Sequence, residues 1–192
     1  MIGCGGGTLG SMLARAGKQV SIVDIDPVSF TLAKRYFGLP QNVRCHVGDG
    51  LVFLQRTGRR YGVLIVDAFK GENIPAHMTG AVFFEAAIRC LRRDGLVMVN
   101  VCLERKSDPI ADKIAAGFKD RGRSVRILDS PGKERNAIVL AGNVKNLRRP
   151  QLLVPPQSDL QQTGKELREM RFRRRRAVSA IVRQTNGRMN RK

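Results

Sequence analysis

The chain contains no tryptophan, two tyrosines and two histidines among its 192 residues. An aromatic-rich stacking surface is therefore not what it offers. No CxxC pair joins any of its four cysteines, Cys4, Cys45, Cys90 and Cys102. They read as reduced, mostly buried thiols of a cytoplasmic protein rather than as a disulfide framework. His46 and His77 do not lie at ligand spacing from a cysteine, so no metal centre is expected. No apolar run approaches 18 residues, and no basic segment precedes a long apolar one, so neither a membrane span nor a secretory signal is expected.

Acidic residues are also scarce. There are 16, against 35 lysines and arginines, for a formal net charge of +19. The imbalance is uneven. Residues 143–192 carry 14 basic and 3 acidic side chains, net +11. They also carry three prolines (Pro150, Pro155 and Pro156) and an unbroken Arg173–Arg176 run. Like-charge blocks usually stay solvated. The expectation is a folded domain over 1–142 and a basic, disordered tail over 143–192. A hydrophobic fraction of 42% is enough to build a core in the first of these.

What is present is an alternation of strand and helix patterns. Val20–Val23 and Val43–Val47 read as strands, and Val63–Val66 as a buried one. Residues 96–101 continue the series, and Val125–Leu128 with Ala137–Leu140 closes it. Between them lie helical patterns at Thr8–Ala16, Pro27–Phe37, Leu51–Arg56, 79–92 and 108–121. In the 79–92 helix, Val82, Phe83, Ala86, Ala87, Cys90 and Leu91 form one apolar stripe. Repeated β-α units imply an α/β fold with a mostly parallel sheet. Such sheets bind ligands at the carboxyl ends of their strands.

Three strand ends carry suitable chemistry. Gly3-Cys-Gly-Gly-Gly7 leads into a helix, where exposed N–H groups can meet a ligand. Gly3-x-Gly5-x-Gly7 suits an S-adenosylmethionine binder; Gly5-x-Gly7-x-x-Gly10 suits a dinucleotide. Asp24 ends the next strand, 21 residues after Gly3, and can accept from both ribose hydroxyls. Asp26 competes for that role but stands before Pro27, where it caps a helix. Gly48-Asp49-Gly50 ends the third strand; Asp49 either accepts from an adenine amino group or caps the following helix. Glycine loop, ribose acid and adenine acid together favour an adenosyl-sulfonium cofactor over a dinucleotide. Asp67 ends the Val63–Val66 run, as an active-site carboxylate or as a loop cap.

Five segments in order make a resemblance specific. These are Val23-Asp-Ile-Asp-Pro27, Tyr36-Phe-Gly-Leu-Pro40, Val47-Gly-Asp-Gly50, Ile65-Val-Asp-Ala-Phe69 and Ile74-Pro-x-His77-x-Thr79 with Phe83-Phe84. Over roughly residues 2–102 the chain resembles the spermidine synthase superfamily, most closely its bacterial spermidine synthase-like branch. The resemblance implies a class I S-adenosylmethionine-dependent methyltransferase-like, Rossmann-like sheet. It implies a transferase using decarboxylated S-adenosylmethionine, with a polyamine-type small-molecule amine as acceptor and no metal. Carried over, Gly3, Gly5, Gly7, Asp24, Asp49 and Gly50 hold the cofactor and Asp67 is the catalytic carboxylate. A methyltransferase using S-adenosylmethionine itself is the alternative, and a non-catalytic remnant the third reading. The sequence departs from the family at Gly6, where the glycine loop elsewhere carries an aspartate. It departs again at Lys70, which stands where the family carries a second loop carboxylate.

Further expectations follow from position. Only Met1 and Ile2 precede the glycine loop, against about five residues in an ordinary strand, so the first strand is expected to be largely missing. His77 is read as fixing its loop, and Tyr36 and Phe37 as helix-core residues. Asn100 lies near the end of its strand, but spacing does not decide which way it faces. Residues 165–183 have the pattern of a basic helix. The Arg173–Arg176 tail offers non-specific nucleic-acid contact. Oligomerisation is left open.

Overall fold

The structure is a computed structural model and describes residues 1–177 except 72, 133, 153–155 and 157. The chain divides into two compact units, Met1–Asn100 and Val101–Lys192.

In the first unit a glycine-rich turn enters helix α1 (Thr8–Arg15), followed by strand β1 (Ser21–Asp24) and helix α2 (Pro27–Tyr36). Asp26 starts α2, its side chain accepting from Val28 N–H, and Pro27 supplies a pre-set first position. Strand β2 (Arg44–Val47) and helix α3 (Gly50–Arg56) come next. Asp49 caps α3 by accepting from Val52 N–H. Strand β3 (Tyr61–Val66), a 3₁₀ turn at Ala76–Met78, helix α4 (Ala81–Arg89) and strand β4 (Leu91–Leu103) complete the series. β4 runs on past the boundary into the second unit.

β1 pairs with β2 and β3 with β4, both in parallel. Between β1 and β3 stands one residue: Ile2 bridges Val23 on one side and Val66 on the other, both in parallel. The first strand is thus represented by Ile2 alone. The core packs beneath this sheet, with Cys4, Val20, Ile22, Phe30, Ala33, Leu39 and Val43 in one cluster. Phe83 of α4 is fully buried, worth about 2 kcal/mol relative to exposure. The α4 stripe is buried as read, except that Val82 is 55% exposed at its edge.

The second unit contains helix α5 (Ile110–Lys119), strands β5 (Val125–Asp129) and β6 (Arg135–Gly142), helix α6 (Leu160–Glu169) and strand β7 (Arg171–Arg173). β5 lies antiparallel to β6 on one side and to β7 on the other.

For the described residues 160–173 this placement differs from the expectation of a solvated tail after Gly142. Arg171–Arg173 joins a sheet, and the compact units part near Asn100 rather than at Gly142. The reason is electrostatic. Asp112 of α5 is fully buried, and Arg173 reaches both its oxygens at 2.8 and 3.1 Å. Arg173 also donates to Asp129 at 2.8 Å, which Arg135 holds from the other side at 2.9 Å. One arginine of the run is therefore consumed in pairing two carboxylates. The basic-helix pattern is realised only as α6; its positions from 178 on lie outside the described residues.

Burial would raise the Asp129 carboxyl, but hydrogen bonds from Arg135 and Arg173 outweigh it and hold it below the usual carboxylate range. Its stabilising contribution is present above about pH 4 and is lost as pH falls through the depressed value. Arg173→Ala leaves Asp112 buried without its cation and is expected to cost about 3 kcal/mol. Urea unfolding should show the drop in midpoint; a midpoint matching the unmodified chain would mean that β7 is not part of the fold.

Candidate functional site

The glycine turn is sewn between two strand ends. Gly3 N–H donates to the Val23 carbonyl at 2.8 Å, and Asp67 N–H to the Ile2 carbonyl at 2.8 Å. A Cβ on Gly3 would sit 2.0 Å from the Asp67 carbonyl oxygen, and Gly3 has a φ of +95°. Only glycine fits there, and its absence of side chain lets the turn lie against the end of β3.

Asp24 holds the turn from the other side. Its Oδ2 accepts from Cys4 N–H at 2.7 Å and its Oδ1 from Asp26 N–H at 2.9 Å. Its carbonyl accepts from Gly48 N–H at 2.8 Å, which ties the third strand end to the second. A carboxylate has about four acceptor positions, so Asp24 retains capacity for ligand hydroxyls beside its two backbone donors. The Cys4 thiol is pushed up to about 11 by burial and by the charge of Asp24, so it stays protonated and inert.

The four glycines assigned to the cofactor divide in two. Gly5 is exposed, with no atom within 4 Å of where a Cβ would stand, so its face is open for a ligand. Gly3, Gly7 and Gly50 face the protein. A Cβ on Gly7 would meet Ala33 at 3.0 Å, and one on Gly50 would meet Ile2 at 2.4 Å. These glycines bring α1, α2, α3 and Ile2 together and so hold the open loop in place.

Asp49 uses both its oxygens. Oδ1 accepts from Val52 N–H at 2.9 Å, and Oδ2 lies 2.8 Å from His77 Nε2. Burial would raise the Asp49 carboxyl, but Val52 N–H and His77 outweigh it and hold it below the usual range. The N-cap role read as an alternative is therefore real and coexists with the contact of the second oxygen to His77.

Asp67 is exposed at the end of β3. The parallel register sets Val66 opposite Val99, so the next residues, Asp67 and Asn100, adjoin across the strands. Asn100 Nδ2 donates to Asp67 Oδ1 at 2.8 Å. Alternation along β4 buries Val97, Val99 and Val101, which turns Asn100 to the opposite face. Spacing left that orientation open; the strand register decides it.

Two aromatic residues differ from their reading. Tyr36 and Phe37 are 64% and 58% exposed, because Phe30 and Ala33 fill the buried face of α2. The Phe37 ring instead lies over Gly6, 3.4 Å from where a Cβ would stand. Among the described residues no group of three or more His, Cys, Asp or Glu side chains could hold a metal ion. No helix among them is long and apolar enough to cross a membrane.

Residues 1–112 match the family model of the spermine/spermidine synthase domain. A polyamine aminopropyltransferase of Vibrio vulnificus is 36% identical over 107 residues, covering 52% of this chain and 36% of that protein. An N-terminal histidine N-methyltransferase of Emericella nidulans is 31% identical over 105 residues, covering 52% of this chain and 19% of that protein. The chain thus spans about a third or less of the length of these two relatives. Among solved structures, a probable spermidine synthase from Corynebacterium glutamicum superposes with a TM-score of 0.73 at 20% identity. That match covers 97% of this chain and 68% of that one. Human methyltransferase-like protein 13, solved with SAH, superposes with a TM-score of 0.61 at 22% identity, covering 92% and 84%. The fold is the α/β class shared by these proteins, that of class I S-adenosylmethionine-dependent methyltransferases.

The two kinds of glycine should separate on substitution. Gly3→Ala combines a left-handed φ with overlap at the Asp67 carbonyl and is expected to destabilise by about 3 kcal/mol. Gly5→Ala meets no neighbour and should cost about 1 kcal/mol from its backbone alone. Equal urea midpoints for the two variants would contradict the placement of the turn.

Proposed function

Because the chain belongs to the spermine/spermidine synthase family, we propose that it transfers an alkyl group from an adenosyl-sulfonium donor to an amine nitrogen. In this reading it is a spermidine synthase-like aminopropyltransferase. Its donor is decarboxylated S-adenosylmethionine, and its acceptor a small polyamine-type amine. The observation that carries the reading is the convergence of Asp24, Asp49 and Asp67 around one glycine turn, through bonds to Cys4, Gly48 and Ile2.

The residues divide the work by chemistry. Asp24 would take the ribose hydroxyls and Asp49 the adenine amino group, beside the open face at Gly5. The donor would supply a carbon made electrophilic by the adjacent sulfonium; as the amine nitrogen bonds to that carbon, its bond to sulfur breaks, the electron pair stays on sulfur and the uncharged thioether nucleoside leaves. An amine arrives protonated and attacks only when neutral, so a base must take its proton. Asp67 is suited to this: it is exposed, and Asn100 fixes one of its oxygens. The carboxylate also holds the ammonium in place before the proton leaves.

Methyl transfer from S-adenosylmethionine is the second reading. It is favoured by the relative named as an N-methyltransferase and by Gly6 and Lys70, where the sequence lacks two carboxylates expected of a polyamine grip. The acceptor of that second reading is left open.

Asp67→Asn should leave nucleoside affinity within twofold and lower turnover by about 10²–10⁴-fold, since only the proton acceptor is lost. Asp24→Asn should do the reverse, weakening nucleoside binding by about 1–3 kcal/mol. Transfer to putrescine, with calorimetry on 5′-methylthioadenosine, measures both. Full turnover in Asp67→Asn would reduce Asp67 to a loop cap.

A further inference from the structure

The contact between His77 and Asp49 joins two segments 28 residues apart, and the proposed function gives His77 no task. We propose that His77 is a specificity-determining residue for the donor: it fixes Asp49 as a pure hydrogen-bond acceptor and so selects a 6-aminopurine over a 6-oxopurine. The inference rests on the reading of Asp49 as the residue that meets the nucleobase.

The geometry is built on both sides of the contact. Asp49 Oδ1 is held by Val52 N–H at the start of α3, which sets the plane of the carboxylate. On the other side His77 lies in the 3₁₀ turn Ala76–Met78. Met78 N–H donates to the Pro75 carbonyl at 2.8 Å, and Thr79 Oγ1 and N–H donate to the Ala76 carbonyl at 2.9 and 3.1 Å. Met78 itself is 4% exposed and anchors the turn in the core. Neither partner is therefore a loose surface side chain meeting the other by chance.

The proton assignment follows from the partner. An ionised carboxylate has no hydrogen to give, so at 2.8 Å His77 Nε2 must carry the proton and donate. Its Nδ1 is then left for solvent or the neighbouring loop. Asp49 Oδ2 keeps a second acceptor position, and the His77 and Asp49 side chains are 48% and 28% exposed, so a ligand can reach the pair. The hydrogen bonds that hold Asp49 ionised act in the same direction, since a protonated carboxyl could donate to a 6-oxo group. An acceptor-only group matches the exocyclic amine of adenine and repels the 6-oxo group of hypoxanthine, whose lone pairs face it.

The contact also ties Asp49, the nucleobase reader, to the segment that follows Asp67. Residues 68–75 connect Asp67 to the turn that carries His77. The support of the base reader and the acceptor of the amine's proton then lie on one stretch of chain, 67–77.

The test is calorimetric, on the full chain, with 5′-methylthioadenosine and 5′-methylthioinosine as probes. The unmodified chain should bind the adenosine form at least 20-fold more tightly. His77→Ala should reduce that ratio to fivefold or less while leaving the melting temperature unchanged, and His77→Gln, which can still donate, should restore most of it. Asp49→Asn retains a side-chain oxygen for Val52 N–H but presents an amide, and should shift the preference toward the inosine form. This second variant does not depend on His77→Ala folding. A ratio unchanged in His77→Ala, or in Asp49→Asn, would overturn the inference, as would equal binding of the two nucleosides by the unmodified chain. Failure of the unmodified chain to bind either nucleoside would overturn the proposed function and this inference with it.

Discussion

The carboxylate of Asp24 is the constraint on which the site depends. It takes backbone N–H groups from Cys4 on one side and Asp26 on the other, while its own carbonyl takes Gly48 N–H. Two segments distant in sequence, at Cys4 and at Gly48, are held at one strand end by a single residue. Charge-assisted bonds of this kind are worth about 1.5–3 kcal/mol each. They offset the cost of holding a glycine-rich turn in a single conformation, which glycine makes higher than for any other residue. The open face at Gly5 is a consequence of that anchoring, as is the close approach of Gly3 to the end of β3.

Ile2 plays the corresponding part in the sheet. A parallel pair β1–β2 and a parallel pair β3–β4 meet through its two bridges. Gly50 lies directly under its side chain, which explains a glycine at the first position of α3 better than a ligand does. Asp49 and Gly50, adjacent in sequence, therefore serve different ends: one caps a helix and offers an oxygen outward, the other makes room inward.

Much of this was legible in the sequence because it is local. Asp26 and Asp49 announce helix starts, Pro27 sets a first turn, and apolar runs mark most strands within two residues, although β4 begins at Leu91, five residues before the start read at 96. The strand-end positions of Asp24, Asp49 and Asp67 follow from those runs. What could not be read is pairing between side chains distant in sequence. Asn100 meets Asp67 across 33 residues, His77 meets Asp49 across 28, and Arg173 meets Asp112 across 61. A basic run looks the same on paper whether it is solvated or paired; only the fully buried Asp112 reveals which arginine is used. Tyr36 and Phe37 were misread for a related reason. Their helix has a narrow buried face, and Phe30 and Ala33 already fill it.

Aminopropyl transfer depends first on the identity of the donor. Asp67 is an exposed carboxylate beside the glycine turn, so a donor carrying its own carboxylate on the transferred side meets like charge there. Titration of the full chain with decarboxylated S-adenosylmethionine and with S-adenosylmethionine, by calorimetry at one ionic strength, measures that discrimination. Saturable binding of both is expected, with the decarboxylated form at least tenfold tighter. Tighter binding of S-adenosylmethionine would contradict aminopropyl transfer, and binding of neither would contradict the site itself.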